Sequence, residues 1–223
     1  MVTGQKTAQS VCPFCVLGLK TGATRAQVDE VFERLVETFD EENFMKTPQA
    51  WVQAQQAFMN IENAYKRILD GDTSEREAEH KEKHEGEPMF HPKLGQMLVA
   101  GGLISLEQLD EAIEKQKTVD LKIGEILKGM NLLTQMELDS FLLNQSLIKL
   151  PLGSPYQFGR RLIGLGLVTD DMVRIALVEQ RTTGKSIGEI LCERNWLAAD
   201  ILDALVLSGA QDNPASLAQE VTI

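Results

Sequence analysis

The sequence predicts an all-α fold. Three observations carry that expectation. Apolar side chains recur at helical spacing, strand-like runs are scarce, and the second half of the chain repeats itself. Aromatic residues make up only 5% of the 223 residues, so the core must be built from Leu, Ile, Val, Ala and Met. The chain divides into a flexible N-terminus (1–10), a small helical domain (11–70), an acidic linker (71–92), two small tandem helical domains (93–150 and 151–209) and a flexible tail (210–223).

The first helical segment is short and begins in VCPFCVLGL, residues 11–19. Pro13 suits a first helical turn, because its missing N–H has no partner there anyway. Cys12 and Cys15 then lie one turn apart. Their Cys-x-x-Cys spacing also occurs in redox sites, which need an α/β context that this sequence lacks, and in zinc sites. Thr24 caps a second helix with Val28, Val31, Phe32 and Leu35 at i, i+3, i+4 and i+7. A break at 40–47 precedes a third helix starting at Pro48, whose apolar stripe is Trp51, Ala54, Phe58, Ile61, Ala64 and Ile68. Two antiparallel helices and a short leading helix close a small core.

Residues 71–92, GDTSEREAEHKEKHEGEPMFHP, carry almost no apolar side chain before Met89 and cannot offset the entropy of ordering. His80 and His84 have metal-ligand spacing, but 65 residues separate His80 from Cys15 where a zinc finger has about a dozen. No metal site is assigned.

The remaining chain holds four related motifs. LGQMLVAGGLIS (94–105) matches FGRRLIGLGLVT (158–169), and KIGEIL (122–127) matches SIGEIL (186–191), both at an offset of 64; half-units recur at 29. Each half is a short helix, a glycine or asparagine break, and a longer helix. Gly101-Gly102 permits a left-handed cap. Ser105 with Gln108, and Thr134 with Glu137, form capping boxes. Leu109, Ile113 and Gln116 share one helical face, as do Leu138, Leu142 and Gln145. The leucine positions read as core, and neither half buries its stripe alone, so the halves pair.

This pattern resembles the MshEN family, the N-terminal domains of type II secretion and type IV pilus ATPases. The motifs run Lys93, Leu94, Gly95, Leu98, Gly102, Leu109, Ile113, Gln116; Lys122, Ile123, Gly124, Leu127, Asn131, Leu138, Leu142, Gln145; Gln157, Phe158, Gly159, Leu162, Gly166, Val173, Leu177, Gln180; and Ser186, Ile187, Gly188, Leu191, Asn195, Leu202, Val206, with Gly209 in place of glutamine. The resemblance implies helical domains and, in many members, a cyclic di-GMP receptor. It makes Lys93, Leu94, Gly95, Leu98, Gln116, Lys122, Ile123, Gly124 and Gln145 of the first domain the candidate ligand site. The family's opening arginine, which stacks on guanine and forks onto phosphate, is absent from all four motifs. Lys93 and Lys122 keep its charge, whereas Gln157 and Ser186 do not. The same residues read without a ligand are packing glycines, core leucines and bridging glutamines.

Residues 11–70 resemble a J domain of the DnaJ type. VLGLKTGATRAQVDEVFERL is similar to its first loop and second helix, and Asn63, Ala64, Tyr65 and Ile68 match the end of its third helix. Its His-Pro-Asp signature, which engages the DnaK-type chaperone, is replaced by Asp40-Glu41-Glu42, and the second helix carries Glu30, Glu33 and Glu37 where the family is basic. The resemblance implies the fold without the co-chaperone activity.

A formal charge of −11 excludes a general role on nucleic acid polymers and disfavours anionic lipid surfaces. Three cysteines give no disulfide framework, and no signal peptide or membrane-length apolar run is present, so a cytoplasmic location without membrane insertion is expected. There is no phosphate loop, and three histidines crowded in or at the end of the linker supply no triad. The expected function is therefore that of a non-catalytic bacterial adaptor or regulator acting through protein partners, with a secretion or pilus system as the pathway analogy. No cofactor is required. Cyclic di-GMP reception by the first MshEN-like domain and J-domain co-chaperone activity are the alternatives.

Overall fold

The computed structural model describes residues 11–45, 47–71, 89–145, 147–151 and 154–210. Its helices are α1 (Pro13–Leu17), α2 (Arg25–Thr38), α3 (Pro48–Leu69), α4 (Leu94–Ala100), α5 (Leu106–Gln116), α6 (Ile123–Gly129), α7 (Gln135–Gln145), α8 (Ser154–Gly164), α9 (Asp170–Thr183), α10 (Ile187–Glu193) and α11 (Ala199–Ala210). A 3-10 turn, Glu41–Phe44, lies between α2 and α3. The fold is all-α. Its only strands among the described residues are β1 (Met89–Phe90) and β2 (Leu150–Pro151), which pair antiparallel with Met89 opposite Pro151 and Phe90 opposite Leu150. The end of the segment read as linker is thus ordered by strand pairing. Residues 72–88 of that segment, with His80 and His84, lie outside the described residues, as do the expected flexible terminus 1–10 and residues 211–223 of the tail.

The chain forms two compact units. One gathers described residues 11–71, 154–173 and 186–210; the other gathers 89–151 and 174–185. Segments that the sequence places in separate domains therefore meet in the first unit, and α9 contributes to both.

In the first unit, α1 ends at Gly18 (φ 80°), whose N–H bonds the Cys15 carbonyl while Leu19 N–H reaches Phe14. Thr24 and Gln27 cap α2 reciprocally, and Thr47 caps α3 ahead of Pro48. Tyr65, near the end of α3, donates to Asp29, near the start of α2, at 2.7 Å, so these helices run antiparallel. Tyr65 also stacks on Phe32 with ring centroids 3.9 Å apart. The buried face of α3 is Ala50, Ala54, Ala57, Ile61 and Ala64, a line of small residues that allows close approach by its neighbours. That corrects the expected stripe: Trp51 is 37% exposed, because the stripe is rotated onto the alanines. α1 packs on α3 and on α8, and α11 packs on α2 and α3. At the α1–α8 contact a Cβ on Gly164 would come within 2.8 Å of Val16, so only glycine fits.

In the second unit, α4 packs on α7, and α5 packs on α6. Leu94, Met97, Leu98, Leu109, Ala112, Leu127 and Leu138 fill the interior. Ser105–Gln108 and Thr134–Glu137 make the expected caps, with Ser105 N–H to Gln108 Oε1 at 2.8 Å and Thr134 N–H to Glu137 Oε2 at 2.8 Å. Phe90 is buried, and the Arg174 guanidinium lies 4.8 Å from its ring centroid.

Candidate functional site

The motif residues of the first pair are built up by two crossed contacts. Gln116, at the end of α5, donates from Nε2 to the Leu121 carbonyl at 3.0 Å, the residue before Lys122. Gln145, at the end of α7, donates from Nε2 to the Pro92 carbonyl at 3.0 Å, the residue before Lys93. Motif one's glutamine therefore fixes the start of motif two's short helix, and motif two's glutamine fixes the start of motif one's. The two halves are exchanged by an approximate twofold relation.

Lys93 and Lys122 sit at the N-caps of α4 and α6 in extended backbone (ψ 153° and 147°). Both are exposed, and neither makes an ion pair among the described residues. The Lys93 N–H donates to Gln96 Oε1 at 2.9 Å, which closes that helix start. Leu94, Gly95, Leu98 and Gly124 are buried, Ile123 and Gln145 are half-buried, and Gln116 is exposed. The structure thus gathers Gln116 with Lys122 and Gln145 with Lys93. It assigns the glycines to packing, since a Cβ on Gly95 or Gly124 would lie 2.5 or 2.6 Å from Leu109 or Leu138.

Two of the expected core positions are on the surface. Ile113 is 37% and Leu142 46% exposed, at equivalent places in motifs one and two; Val206 of motif four is 43% exposed, while Leu177 of motif three is buried. The cause is geometric. Leu109 and Leu138 already fill the space over the glycines, so the side chain one turn later emerges beyond the short helix. The α7 surface continues this apolar character, with Met136 79%, Leu143 74% and, just past the helix, Leu147 79% exposed.

Electrostatics around the pair are local. Lys115–Glu111, Lys117–Glu114 and Lys128–Glu125 are exposed i, i+3 or i, i+4 pairs. Glu137 is held below the ordinary carboxylate range by the Thr134 N–H and then its hydroxyl, and Glu107 by the Ser105 hydroxyl.

The second pair departs from the first. Ser186 occupies the lysine place as a true N-cap, its hydroxyl accepting from Glu189 N–H at 3.2 Å. A Cβ on Gly18 would lie 2.8 Å from Arg161 Cζ, which places that guanidinium over the C-terminus of α1, where a positive group is favourable. The turns of this pair are covered by α3. Gln49 Nε2 donates to the Asn195 carbonyl (2.9 Å), Gln53 Nε2 to Trp196 (2.9 Å) and Asn60 Nδ2 to Leu165 (2.9 Å), while Ala198 N–H donates back to Gln53 Oε1 (2.9 Å). Sequence reading missed this interface. Its one visible signal was that residues 47–61 contain no charged side chain, unusual for an exposed helical face.

Cys12, Cys15 and Cys192 form no disulfide with one another, and burial, with Asp203, pushes the Cys192 thiol up. Among the described residues no group of three metal-binding side chains converges, and no helix is long and apolar enough to cross a membrane. The chain matches no protein-family model, no curated protein and no solved structure in comparison with each.

Proposed function

We propose that the protein is a non-catalytic adaptor that acts through protein–protein contacts, with the first helix pair as its docking body. The observation that carries this reading is the apolar outer face of α7. Met136, Leu142 and Leu143 are exposed on a helix whose buried side is already supplied by Leu138. Exposed apolar side chains grouped on one helix are the mark of an interaction surface. Leu143→Glu leaves the core untouched. Affinity capture from cells with wild-type and Leu143→Glu protein tests the reading. Loss of a stoichiometric partner with an unchanged melting temperature supports it, and identical captured sets sink it. The resemblance to secretion and pilus ATPase domains suggests the pathway by analogy only, and a cytoplasmic location accompanies that analogy.

A second reading is favoured by the crossed Gln116–Lys122 and Gln145–Lys93 groups. Two exposed ammonium groups, on a helix pair that also exposes Ile113 and Leu142, suit a twofold, dianionic, aromatic ligand such as cyclic di-GMP. Calorimetry of the full chain with the dinucleotide tests this, and Lys93→Arg should raise the affinity markedly. The absence of heat for both proteins at high micromolar ligand rejects it. Co-chaperone activity is the weakest reading, because Asp40 caps a 3-10 turn where the J domain carries His-Pro-Asp. Several-fold stimulation of a DnaK-type ATPase would reinstate it.

A further inference from the structure

We propose that the turn face of the first helix pair, formed by Gly101, Gly102, Asn131 and Leu132, docks an uncharged helix of another protein that presents amide side chains at i, i+4, i+7 and i+11. This rests on the adaptor reading and names a surface and a class of partner for it.

The template lies within the chain. Residues Gln49, Gln53, Gln56 and Asn60 of α3 have that spacing, and α3 crosses both turns of the second pair. Gln49, Gln53 and Asn60 donate to carbonyls of the turns that follow α8 and α10, and Gln56 packs against the turn at Gly166. From Gln49 to Asn60 the helix advances roughly 16 Å, enough to bridge two turns. The contact is close: a Cβ on Gly166 would lie 2.6 Å from Asn60 Nδ2 and 3.0 Å from Gln56 Cγ. Between residues 47 and 61 this helix carries no charge.

The first pair repeats the acceptor geometry. At the offset of 64, Leu165, Gly166, Asn195 and Trp196 correspond to Gly101, Gly102, Asn131 and Leu132. The left-handed residues agree closely, Gly102 at φ 71° with Gly166 at 73°, and Asn131 at 56° with Asn195 at 57°. The difference is occupancy. Gly101, Gly102 and Asn131 are exposed, and a Cβ on Gly102 would meet nothing within 4 Å. The carbonyls of Gly101, Asn131 and Leu132 accept no hydrogen bond among the described residues. A face that binds an amide-bearing helix in one repeat thus carries none in the other, where Phe141 of α7 borders it beside Gly101. The occupant is a foreign helix rather than α3 itself, because α3 is already engaged.

A labelled peptide of residues 47–70, its helix held by a lactam between Glu62 and Lys66, is the probe, and anisotropy with the full-length protein is the readout. The decisive variant is Gly102→Asn. Asparagine already holds the left-handed position in motifs two and four, so the variant folds, yet its side chain fills the space a docked helix requires. Saturable binding, insensitive to salt, that weakens about tenfold or more in Gly102→Asn supports the proposal. No saturation, or equal binding by both proteins, overturns it. A dimer of the unlabelled protein in sedimentation that Gly102→Asn dissolves would make a second copy the occupant and overturn the assignment to a foreign helix. None of these failures touches the adaptor reading, which stands or falls with Leu143-dependent capture.

Discussion

Gly95 lies so close to Leu109 that a Cβ on the glycine would fall 2.5 Å from Leu109 Cδ1. The same relation recurs three more times, Gly124 with Leu138 (2.6 Å), Gly159 with Val173 (2.3 Å) and Gly188 with Leu202 (2.8 Å). Each glycine precedes its partner by fourteen residues. The glycine lets the short helix of a half-unit lie directly on the long helix that follows, and the leucine or valine fills the notch. This contact explains the Leu/Ile/Phe-Gly step of the repeat by packing alone, whatever the pair binds.

Gly95→Ala and Gly124→Ala should destabilise the protein even though alanine is the better helix former. Overpacking a filled core costs about 1–3 kcal/mol, while the helix gain is at most about 1 kcal/mol. Gly129, at the end of α6, has nothing within 4 Å of its Cβ position and serves as the control. Gly129→Ala should raise stability by up to about 1 kcal/mol. Urea midpoints of the three variants decide the matter, and a stabilised Gly95→Ala would refute the packing account.

Gln53 makes two hydrogen bonds with the chain near Trp196, donating to the Trp196 carbonyl and accepting from Ala198 N–H. Gln53→Ala strands that half-buried N–H and should cost about 1–3 kcal/mol. Gln53→Glu keeps the acceptor for Ala198 N–H but sets a carboxylate oxygen against the Trp196 carbonyl in place of the donor, so it should not rescue. Arg194 lies 5.3 Å from the Trp196 ring centroid, so a shift in tryptophan fluorescence should accompany the loss of stability.

Much of this was legible in the sequence. Thr24, Pro48, Ser105 and Thr134 announce helix starts through local chemistry, which depends on a few neighbouring residues and survives any tertiary context. The pairing of half-units followed from a repeat that cannot bury itself. What was not legible depends on partners remote in sequence. Nothing local to Gln49, Gln53 and Asn60 reveals that carbonyls about 105 to 146 residues away accept their hydrogen bonds. Ile113 and Leu142 have the spacing of core residues, and only the depth of the glycine notch shows that they emerge from it. The crossed Gln116 and Gln145 bonds were likewise not legible, because each joins the end of one motif to the chain before the start of the other.

Those two glutamines should differ in weight. Gln145 is half-buried and grips a carbonyl 53 residues away, whereas Gln116 is exposed and closes a local loop. Gln145→Ala should cost about 1 kcal/mol and loosen the start of α4, while Gln116→Ala should fall within about 0.5 kcal/mol of wild type. Hydrogen exchange of the Met97 amide, which bonds the Lys93 carbonyl at 3.1 Å in the first turn of α4, reads the loosening directly. Equal effects from both substitutions would contradict the burial argument.

Asp29 links stability to pH on both flanks. Its carboxylate accepts from Tyr65 Oη and from Arg25 Nε (2.9 Å), and is held below its ordinary range first by Tyr65 and then by Arg25. A folded-state value below the unfolded one means that this stabilisation is present above about pH 4 and is lost as pH falls through the depressed value. Tyr65 is raised above 10.0, chiefly by the same bond to Asp29 and then by burial. Its contribution is present below that pH and is lost as pH rises through the raised value. Tyr65→Phe removes the shared hydrogen bond, so its stability should depend less on pH than that of wild type on the acid flank and on the alkaline flank alike. The Asp29 side chain is 40% exposed, which keeps the effect modest and sensitive to salt. Denaturation curves at acid, neutral and alkaline pH measure the two slopes, and parallel profiles for wild type and Tyr65→Phe would show that the Asp29–Tyr65 bond is not coupled to folding.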